Sequence, residues 1–292
     1  MRRRGRPRHR TRRCGTSSRC PRVSRSSTSP PASRSSANSE GGKGSSTGPT
    51  FGAAVRIAAV GDVHGYENLP AVTADLSRLG PVDLFLLAGD TTDRNDLDAF
   101  GAVVRTIRAR VTAPVWAVFG NNEYASDHPA YVARFADAFG VRFLQDEAAV
   151  FESPAGSVRI IGSVGSLDRP TWWQRRNLPR VAEEYERRVK VLDGLLAGDG
   201  TRILLTHYPP TYVTMGGEKE EWRPELGSKA LESVLLRRRP SLVIHGHIHK
   251  GIPAGELRPR FDRLDDFEGD LAPIPVHNVA YPVRHAVSTI DV

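Results

Sequence analysis

The sequence predicts an α/β fold in which parallel strands alternate with helices. Two observations support this prediction. From Val55 onward, short apolar runs alternate with segments of helical spacing, and several of these runs end at a glycine that is followed by a polar residue. Continuous apolar runs are typical of strands covered on both faces. Alternation of such strands with helices implies parallel strands that are joined by right-handed crossovers.

The first half of this region predicts three strands and three helices. The apolar runs are assigned to strands, and the segments with apolar residues three and four positions apart are assigned to helices. In chain order these elements are Val55–Val60, Leu69–Leu79, Val82–Ala88, Leu97–Arg110, Pro114–Phe119 and Pro129–Phe139.

The second half adds shorter strands and two longer helices. Three short apolar segments separated by turn residues, Val141–Phe143, Ala148–Phe151 and Val158–Ile161, predict hairpins and an antiparallel portion. Later strands and helices follow in this order: Pro179–Ala197, Ile203–Thr206, Leu226–Arg238, Leu242–His245, Ile274–Asn278 and Ala286–Ile290. An acidic loop, Asp262–Asp270, is expected to be solvated.

The first 52 residues differ in composition from the rest of the chain. They contain thirteen of the 41 Lys and Arg residues and one of the 33 Asp and Glu residues, so the formal charge of +8 arises there. Such a polar segment buries too little surface to offset its ordering entropy, and we expect residues 1–52 to be a disordered extension of one domain at 53–292. Three explanations are open for this extension. They are a solvated extension or a start codon assigned too early, a polyanion-binding arm, and an organelle transit peptide.

Composition also excludes several classes of protein. Cys14 and Cys20 are the two cysteines of the chain and both lie in the basic extension, so the domain has neither a disulfide framework nor a thiolate zinc site. No apolar run has the length of a membrane span. We expect a cytoplasmic protein that acts on a small substrate, does not bind membranes and contacts nucleic acid, if at all, through the basic extension.

Side chains that could bind metal ions follow five of the predicted strands. Carboxyl ends of strands that run in the same direction lie at one edge of a sheet, so these side chains are expected to meet in space. They are Asp62 and His64, Asp90, Asn121, His207, and His247 and His249. Oxygen and nitrogen donors without thiolate suit Mn, Fe, Zn or Co better than Ca. A single such residue would more simply satisfy a strand end, but seven in this arrangement favour a metal site.

The motifs around these residues resemble those of the calcineurin-like metallophosphoesterase superfamily. They are GDVHG at 61–65, GDTTD at 89–93, GNNE at 120–123, THYPP at 206–210 and GHIH at 246–249. The resemblance covers about residues 55–292. It implies a sandwich of two mixed β-sheets flanked by helices, in an α-β-β-α order.

The resemblance also implies roles for the seven side chains. One metal ion would be bound by Asp62, His64 and His249, a second by Asn121, His207 and His247, and Asp90 would bridge the two. It further implies hydrolysis of phosphate esters by a hydroxide that bridges two divalent ions, which could be Mn, Fe, Zn, Co or Ni. Two adjacent cations lower the pKa of a shared water and orient an in-line displacement. The alternative is a scaffold protein of the same fold without catalysis.

One position departs from the superfamily pattern. Where the family commonly has a histidine in G-N-H-[DE], thought to protonate the leaving group or contact phosphate, this chain has Asn122. Asparagine donates a hydrogen bond but gives up no proton. We therefore expect phosphodiesters or activated esters as substrates, with phosphomonoester or phosphoprotein hydrolysis as the alternative. Asp93, which matches the usual partner of that histidine, and Arg94, which follows it as in the protein phosphatases of the family, are further catalytic candidates.

Two other features remain open. Trp172 and Trp173, predicted to lie in a loop, could form a wall of the pocket or stack on a base, and packing or an oligomer contact is the alternative. His245 directly precedes the GHIH motif. We expect His245 to end the strand and to support the metal ligands, and not to bind a metal ion itself.

Overall fold

The computed structural model describes residues 54–259 and 272–292. The predictions made for the extension 1–52 and for the acidic loop 262–270 lie outside these described residues. Among the described residues, no helix combines the length and apolar character needed to cross a membrane.

The described residues form eleven strands and seven α-helices. The strands are β1 (Arg56–Val60), β2 (Leu84–Ala88), β3 (Val115–Val118), β4 (Val141–Phe143), β5 (Glu147–Ser153), β6 (Gly156–Ser163), β7 (Arg202–Thr206), β8 (Leu242–His245), β9 (Ala254–Leu257), β10 (Ile274–Asn278) and β11 (Ser288–Asp291). The helices are α1 (Leu69–Leu76), α2 (Leu97–Arg108), α3 (His128–Phe139), α4 (Trp172–Asn177), α5 (Val181–Leu195), α6 (Lys229–Arg238) and α7 (Tyr281–Arg284).

The strands form two mixed sheets, which confirms the predicted fold class. The first sheet has the order β11-β1-β2-β3-β4, and the second has the order β5-β6-β7-β8-β10-β9. In the first sheet, β1 to β4 are parallel and β11 pairs antiparallel with β1. In the second sheet, β6, β7, β8 and β10 are parallel, whereas β5 and β9 are antiparallel edge strands.

The apolar runs are explained by burial on both faces of each sheet. In β1, Ala58 and Val60 belong to the core formed with helices α1 to α3, while Ile57 and Ala59 belong to the core between the two sheets. A third core lies between the outer face of the second sheet and helices α5 and α6. Because alternate residues of a strand point to opposite faces, a strand buried on both sides has no polar alternation.

Several predicted elements needed correction. Residues Val141–Phe143 were expected in an antiparallel portion, but β4 extends the first sheet parallel to β3, and the hairpin is formed by β5 and β6 alone. The tryptophan pair was expected in a loop, but it begins the short helix α4, which Thr171 caps through its side chain. Strand β9 and helix α7 were not predicted. In β9 only Leu257 is buried, and α7 is a single helical turn, so neither element has an apolar pattern that marks it in the sequence.

Candidate metal centre

The turns that follow the strands place their polar side chains with unusual backbone geometry. Asp62 (φ 54°), His64 (φ 51°), Asp90 (φ 45°) and His247 (φ 70°) all have left-handed backbone conformations. Such a conformation costs an L-residue about 1–3 kcal/mol and is concentrated at functional sites. Four strained residues at the carboxyl ends of three strands therefore mark this edge of the molecule as the candidate site.

A first cluster contains Asp62, His64 and His249. The His249 Nε2 atom lies 2.9 Å from Asp62 Oδ1 and 3.5 Å from His64 Nε2. The second carboxylate oxygen of Asp62 accepts a hydrogen bond of 2.8 Å from the backbone N–H of His247. One ligand atom from each of Asp62, His64 and His249 lies within 4.8 Å of the other two, which is close enough for the three residues to hold one metal ion.

A second cluster contains Asp90, Asn121, His207 and His247. The His207 Nε2 atom lies 3.1 Å from Asn121 Oδ1 and 3.5 Å from Asp90 Oδ1. The Asn121 side-chain amide donates to Asp90 Oδ2 at 3.2 Å. The imidazole rings of His207 and His247 meet edge to face, with centroids 4.9 Å apart. All seven residues predicted from the sequence are therefore brought together at one edge.

The surroundings of His207 provide a test of whether a cation fits. Its Nδ1 atom lies 3.1 Å from the carbonyl oxygen of Ala88, so Nδ1 is the donor in that contact. With Nδ1 as the donor, Nε2 is the ligand atom, and it faces the oxygen acceptors of Asn121 and Asp90. Three acceptor atoms that face one another are satisfied by a cation placed between them, so the donor set fits a metal ion.

Burial of charge leads to the same conclusion. Asp62 and Asp90 are almost fully buried, and within the described residues their ion-pair partners are histidines and not Lys or Arg. Buried carboxylates require a compensating positive charge. Burial, and then the neighbouring His207, hold the pKa of His247 well below its ordinary value, which keeps this imidazole in its neutral, ligating form.

Asp62 lies close to the ligand atoms of both clusters. One of its carboxylate oxygens is within 4.8 Å of His64 and His249, and Asp62 also forms such a group with Asp90 and His207 of the second cluster. The bridging role of Asp90 stays a prediction.

Glu123 is a site residue to which the sequence reasoning gave no role. Its buried carboxylate accepts hydrogen bonds from the backbone N–H groups of Gly120 (2.7 Å), Asp90 (3.0 Å) and Thr92 (3.0 Å). It thereby fixes the turn after β2 to the turn after β3. Burial, together with the charge of Asp90, raises the pKa of Glu123 to about 7. In the sequence, Glu123 is marked by its position as the last residue of the GNNE motif.

Asn122 points towards Asp90 rather than towards Asp93. Its backbone N–H donates to Asp90 Oδ1 at 2.8 Å and its side-chain amide donates to Asp90 Oδ2 at 2.7 Å. The Asn122 Oδ1 atom accepts from the backbone N–H of Arg94 at 3.2 Å. Asp93 and Arg94 have solvent-exposed side chains and pair with each other at 3.3 Å. Catalytic roles for these three residues stay predictions.

Two buried residues support the loop that contains His247 and His249. His245 ends β8 with its Nε2 atom 2.8 Å from the hydroxyl of Thr214, an arrangement that fits a strand-end position better than ligation. Asn278 in β10 donates its side-chain amide to the carbonyl of Ile248 at 2.8 Å. Its amide therefore fixes the backbone between the two histidines.

Gly120 provides a direct test of the close packing in this site. A Cβ atom at this position would collide with the backbone nitrogen and the carboxylate of Asp90. We expect Gly120→Ala to displace Asp90 and to lower metal affinity by about 10–100-fold, the loss typical when the support of a metal ligand is disturbed. Metal titration by calorimetry measures this effect. Gly80→Ala is the matched control, because a Cβ there meets nothing within 4 Å, and equal affinities for the two variants would contradict the prediction.

Two mixed sheets are flanked by helices, and oxygen and nitrogen donors able to hold metal ions are gathered where the strands end. The family model described as calcineurin-like phosphoesterase matches residues 55–251, and the chain belongs to this family. Proteins of this family typically depend on two metal ions, and the two ligand clusters are the candidate residues for binding them here.

Solved structures show the same fold. One is the phosphopantetheinyl hydrolase from Mycobacterium tuberculosis, at 19% identity and a TM-score of 0.53, over 79% of this chain and 90% of that chain. Another is TT1561 of Thermus thermophilus, at 17% identity and a TM-score of 0.53, over 82% of this chain and 99% of that chain. At these identities the likeness concerns the fold alone. No curated protein matches the chain in sequence.

Proposed function

We propose that this protein hydrolyses phosphodiesters with the help of two divalent cations. The observation that supports this proposal best is the environment of Asp90. Its carboxylate accepts hydrogen bonds from the side-chain amides of Asn121 and Asn122. The nearest histidine nitrogen is Nε2 of the ligand His207, 3.5 Å from Asp90 Oδ1. Where relatives commonly have a histidine able to protonate a leaving group, this site has an amide that is already hydrogen bonded.

The two ligand clusters would hold the cations, the first through Asp62, His64 and His249, and the second through Asn121, His207 and His247, with Asp90 between them. Bound there, divalent cations supply Lewis acidity, which lowers the pKa of water and offsets charge on the phosphoryl oxygens. The protein fixes the donors through hydrogen bonds from the backbone and from Asn278.

The substitution at Asn122 determines which esters react fast. General acid help from a histidine is worth about 10²–10⁴-fold in rate, and it matters most for leaving groups of high pKa. Asn122 cannot transfer a proton, but its amide can donate a hydrogen bond. Esters whose leaving group departs without protonation, such as aryl diesters, are therefore the expected substrates. Arg94, which is almost fully exposed beside Asp93, is available to contact a phosphoryl oxygen.

A comparison of two chromogenic esters tests the proposed function. The full-length protein is loaded with Mn, Ni, Co, Zn or Fe in turn and assayed on bis(4-nitrophenyl) phosphate and on 4-nitrophenyl phosphate. We expect about two metal ions per chain, loss of activity on chelation, and a higher kcat/KM for the diester. A higher kcat/KM for the monoester would contradict the phosphodiesterase assignment. Neither metal nor activity would favour the scaffold alternative.

A histidine at position 122 should restore general acid catalysis. In Asn122→His, the rate on an alkyl ester should rise relative to the rate on an aryl ester, by about 10-fold or more, because protonation assists the poorer leaving group. The measurement is the ratio of kcat/KM for methyl and 4-nitrophenyl diesters in the variant and in the wild-type enzyme. Asn177→His, in the exposed helix α4, is the control. An unchanged ratio at position 122 would reject this role.

A further inference from the structure

Tyr208 is a buried aromatic residue in direct contact with a predicted metal ligand. It follows His207 in the connection that leaves β7, and it is 4% exposed. Its phenol ring meets the imidazole of His247 edge to face, with the ring centroids 4.8 Å apart and an angle of 86° between the planes. The proposed hydrolysis assigns no role to this ring, which nevertheless lies against the second ligand cluster.

The imidazole of His247 is oriented by contacts with other rings. The backbone N–H of His247 donates to Asp62 at 2.8 Å, and this bond fixes the backbone but not the rotation of the imidazole. The imidazole contacts the rings of His207 and Tyr208, with centroids 4.9 Å and 4.8 Å away. His207 is a predicted ligand that is anchored separately, to the carbonyl of Ala88. Tyr208 is therefore a contact from outside the ligand set that limits the rotation of His247.

Tyr208 is itself held firmly in place. Its backbone N–H donates to the carbonyl of Val164 at 2.9 Å. Gly165 packs so closely against it that a Cβ atom on this glycine would lie 2.9 Å from the Tyr208 carbonyl oxygen. The Tyr208 hydroxyl accepts a hydrogen bond from the side-chain amide of Gln174 at 3.3 Å. The side chain is therefore fixed at both ends, through its backbone and through its hydroxyl.

Gln174 connects the Tyr208 ring to the cap of helix α4. The amide oxygen of Gln174 accepts from the backbone N–H of Thr171 at 2.9 Å, and its backbone N–H donates to the Thr171 hydroxyl at 3.2 Å. A reciprocal cap of this kind fixes the side chain in the first turn of a helix. Because the oxygen of the Gln174 amide is bound in the cap, its nitrogen is directed to Tyr208. Contacts thus run from the start of α4 through Tyr208 to His247.

We propose that Tyr208 is a positioning residue, whose ring holds the imidazole of His247 in the orientation that binds the second metal ion. Gln174 supports this role by holding the Tyr208 hydroxyl. A metal-binding histidine is usually oriented by a partner outside the ligand set. Here that partner is an aromatic ring in the edge-to-face geometry that such rings prefer. The proposal rests on His247 binding a metal ion in the proposed function, and Tyr208 takes no part in bond cleavage.

Metal titration of the full chain tests the proposal. The protein is stripped of metal with a chelator and titrated with Mn²⁺ in a calorimeter. In Tyr208→Leu we expect one ion to bind as in the wild-type protein and the other to bind about 10–100-fold more weakly, the loss typical when the partner of a metal ligand is removed. Tyr208→Met, which fills much of the same space without a ring, should show the same loss. Tyr208→Phe keeps the ring beside His247 and should keep most of the wild-type affinity.

Tyr185→Leu is the matched control. Tyr185 belongs to the same small core as Tyr208, and the two ring centroids are 6.3 Å apart. This variant loses a ring of that core but keeps the contact between Tyr208 and His247, so its stability should fall while both ions bind as before. The visible absorption of bound Co²⁺, which depends on coordination geometry, should change in Tyr208→Leu and not in Tyr185→Leu. Urea unfolding of the metal-free variants measures the loss of stability separately.

The titration separates failure of this proposal from failure of the proposed function. Weaker binding of one ion in Tyr208→Leu would support the positioning role even if the wild-type protein hydrolysed no diester, a result that would contradict only the phosphodiesterase function. Equal affinities in the wild-type protein, Tyr208→Leu and Tyr208→Met would overturn the positioning role, whether or not diesters are hydrolysed. Equal losses of affinity in Tyr208→Leu and Tyr185→Leu would also overturn it, because they would show a general effect of core packing.

Discussion

Asp90→Asn should lower kcat/KM on a chromogenic diester by about 10³-fold, which corresponds to several kcal/mol of lost transition-state stabilisation. The substitution keeps the size of the side chain but removes the buried negative charge that faces His207 and the two asparagines. Without the negative charge of Asp90, cations bound in the two ligand clusters would lack the carboxylate proposed to contact both of them, and they should bind more weakly. Metal content per chain, measured after gel filtration, should fall together with activity.

The control for Asp90→Asn is Asp98→Asn. Asp98 lies near the start of α2 with a solvent-exposed carboxylate that pairs with Arg134, away from both ligand clusters. Exposed ion pairs contribute about 0–1 kcal/mol, so stability and activity of this variant should change little. Retention of two metal ions and of full activity in Asp90→Asn would show that this carboxylate does not take part in metal binding, and the proposed mechanism would fail with it.

Glu123→Ala should lower the free energy of unfolding by about 3 kcal/mol or more. The carboxylate accepts three buried backbone N–H groups, and each donor left without a partner costs about 1–3 kcal/mol. The turns after β2 and β3 contain Asp90 and Asn121, so metal affinity should fall as well. Urea unfolding of the metal-free protein measures the stability term separately from metal binding.

Two further variants define the Glu123 effect. Glu123→Gln keeps the shape and one acceptor oxygen, so its loss of stability should lie between those of the wild-type protein and Glu123→Ala. Glu152→Ala, an exposed carboxylate of strand β5, is the matched control and should change the unfolding free energy by less than about 0.5 kcal/mol. If Glu123→Ala and Glu152→Ala unfolded at the same urea concentration, the hydrogen bonds of Glu123 would not stabilise the two turns.

Much of the candidate site was predictable because its residues are marked locally. Apolar runs identified the strands, and Asp62, Asp90, Asn121, His207 and His247 each follow a strand end closely. Parallel strands have their carboxyl ends at one edge, so residues distant in sequence could be expected to meet. The structure agrees with that expectation, since the ligand-type side chains lie within a few ångströms of one another.

The sequence by itself determined the order of most strands and helices, the residue types of a metal site and their location at strand ends. Only the tertiary structure decided that β4 joins the first sheet, that Glu123 ties two turns together, and that the rings of Trp222 and Tyr124 are exposed. The physical reason is that side-chain periodicity reports which faces of an element are buried. Strand pairing, the capture of backbone donors by a remote carboxylate and the exposure of a ring depend on contacts between segments far apart in the chain.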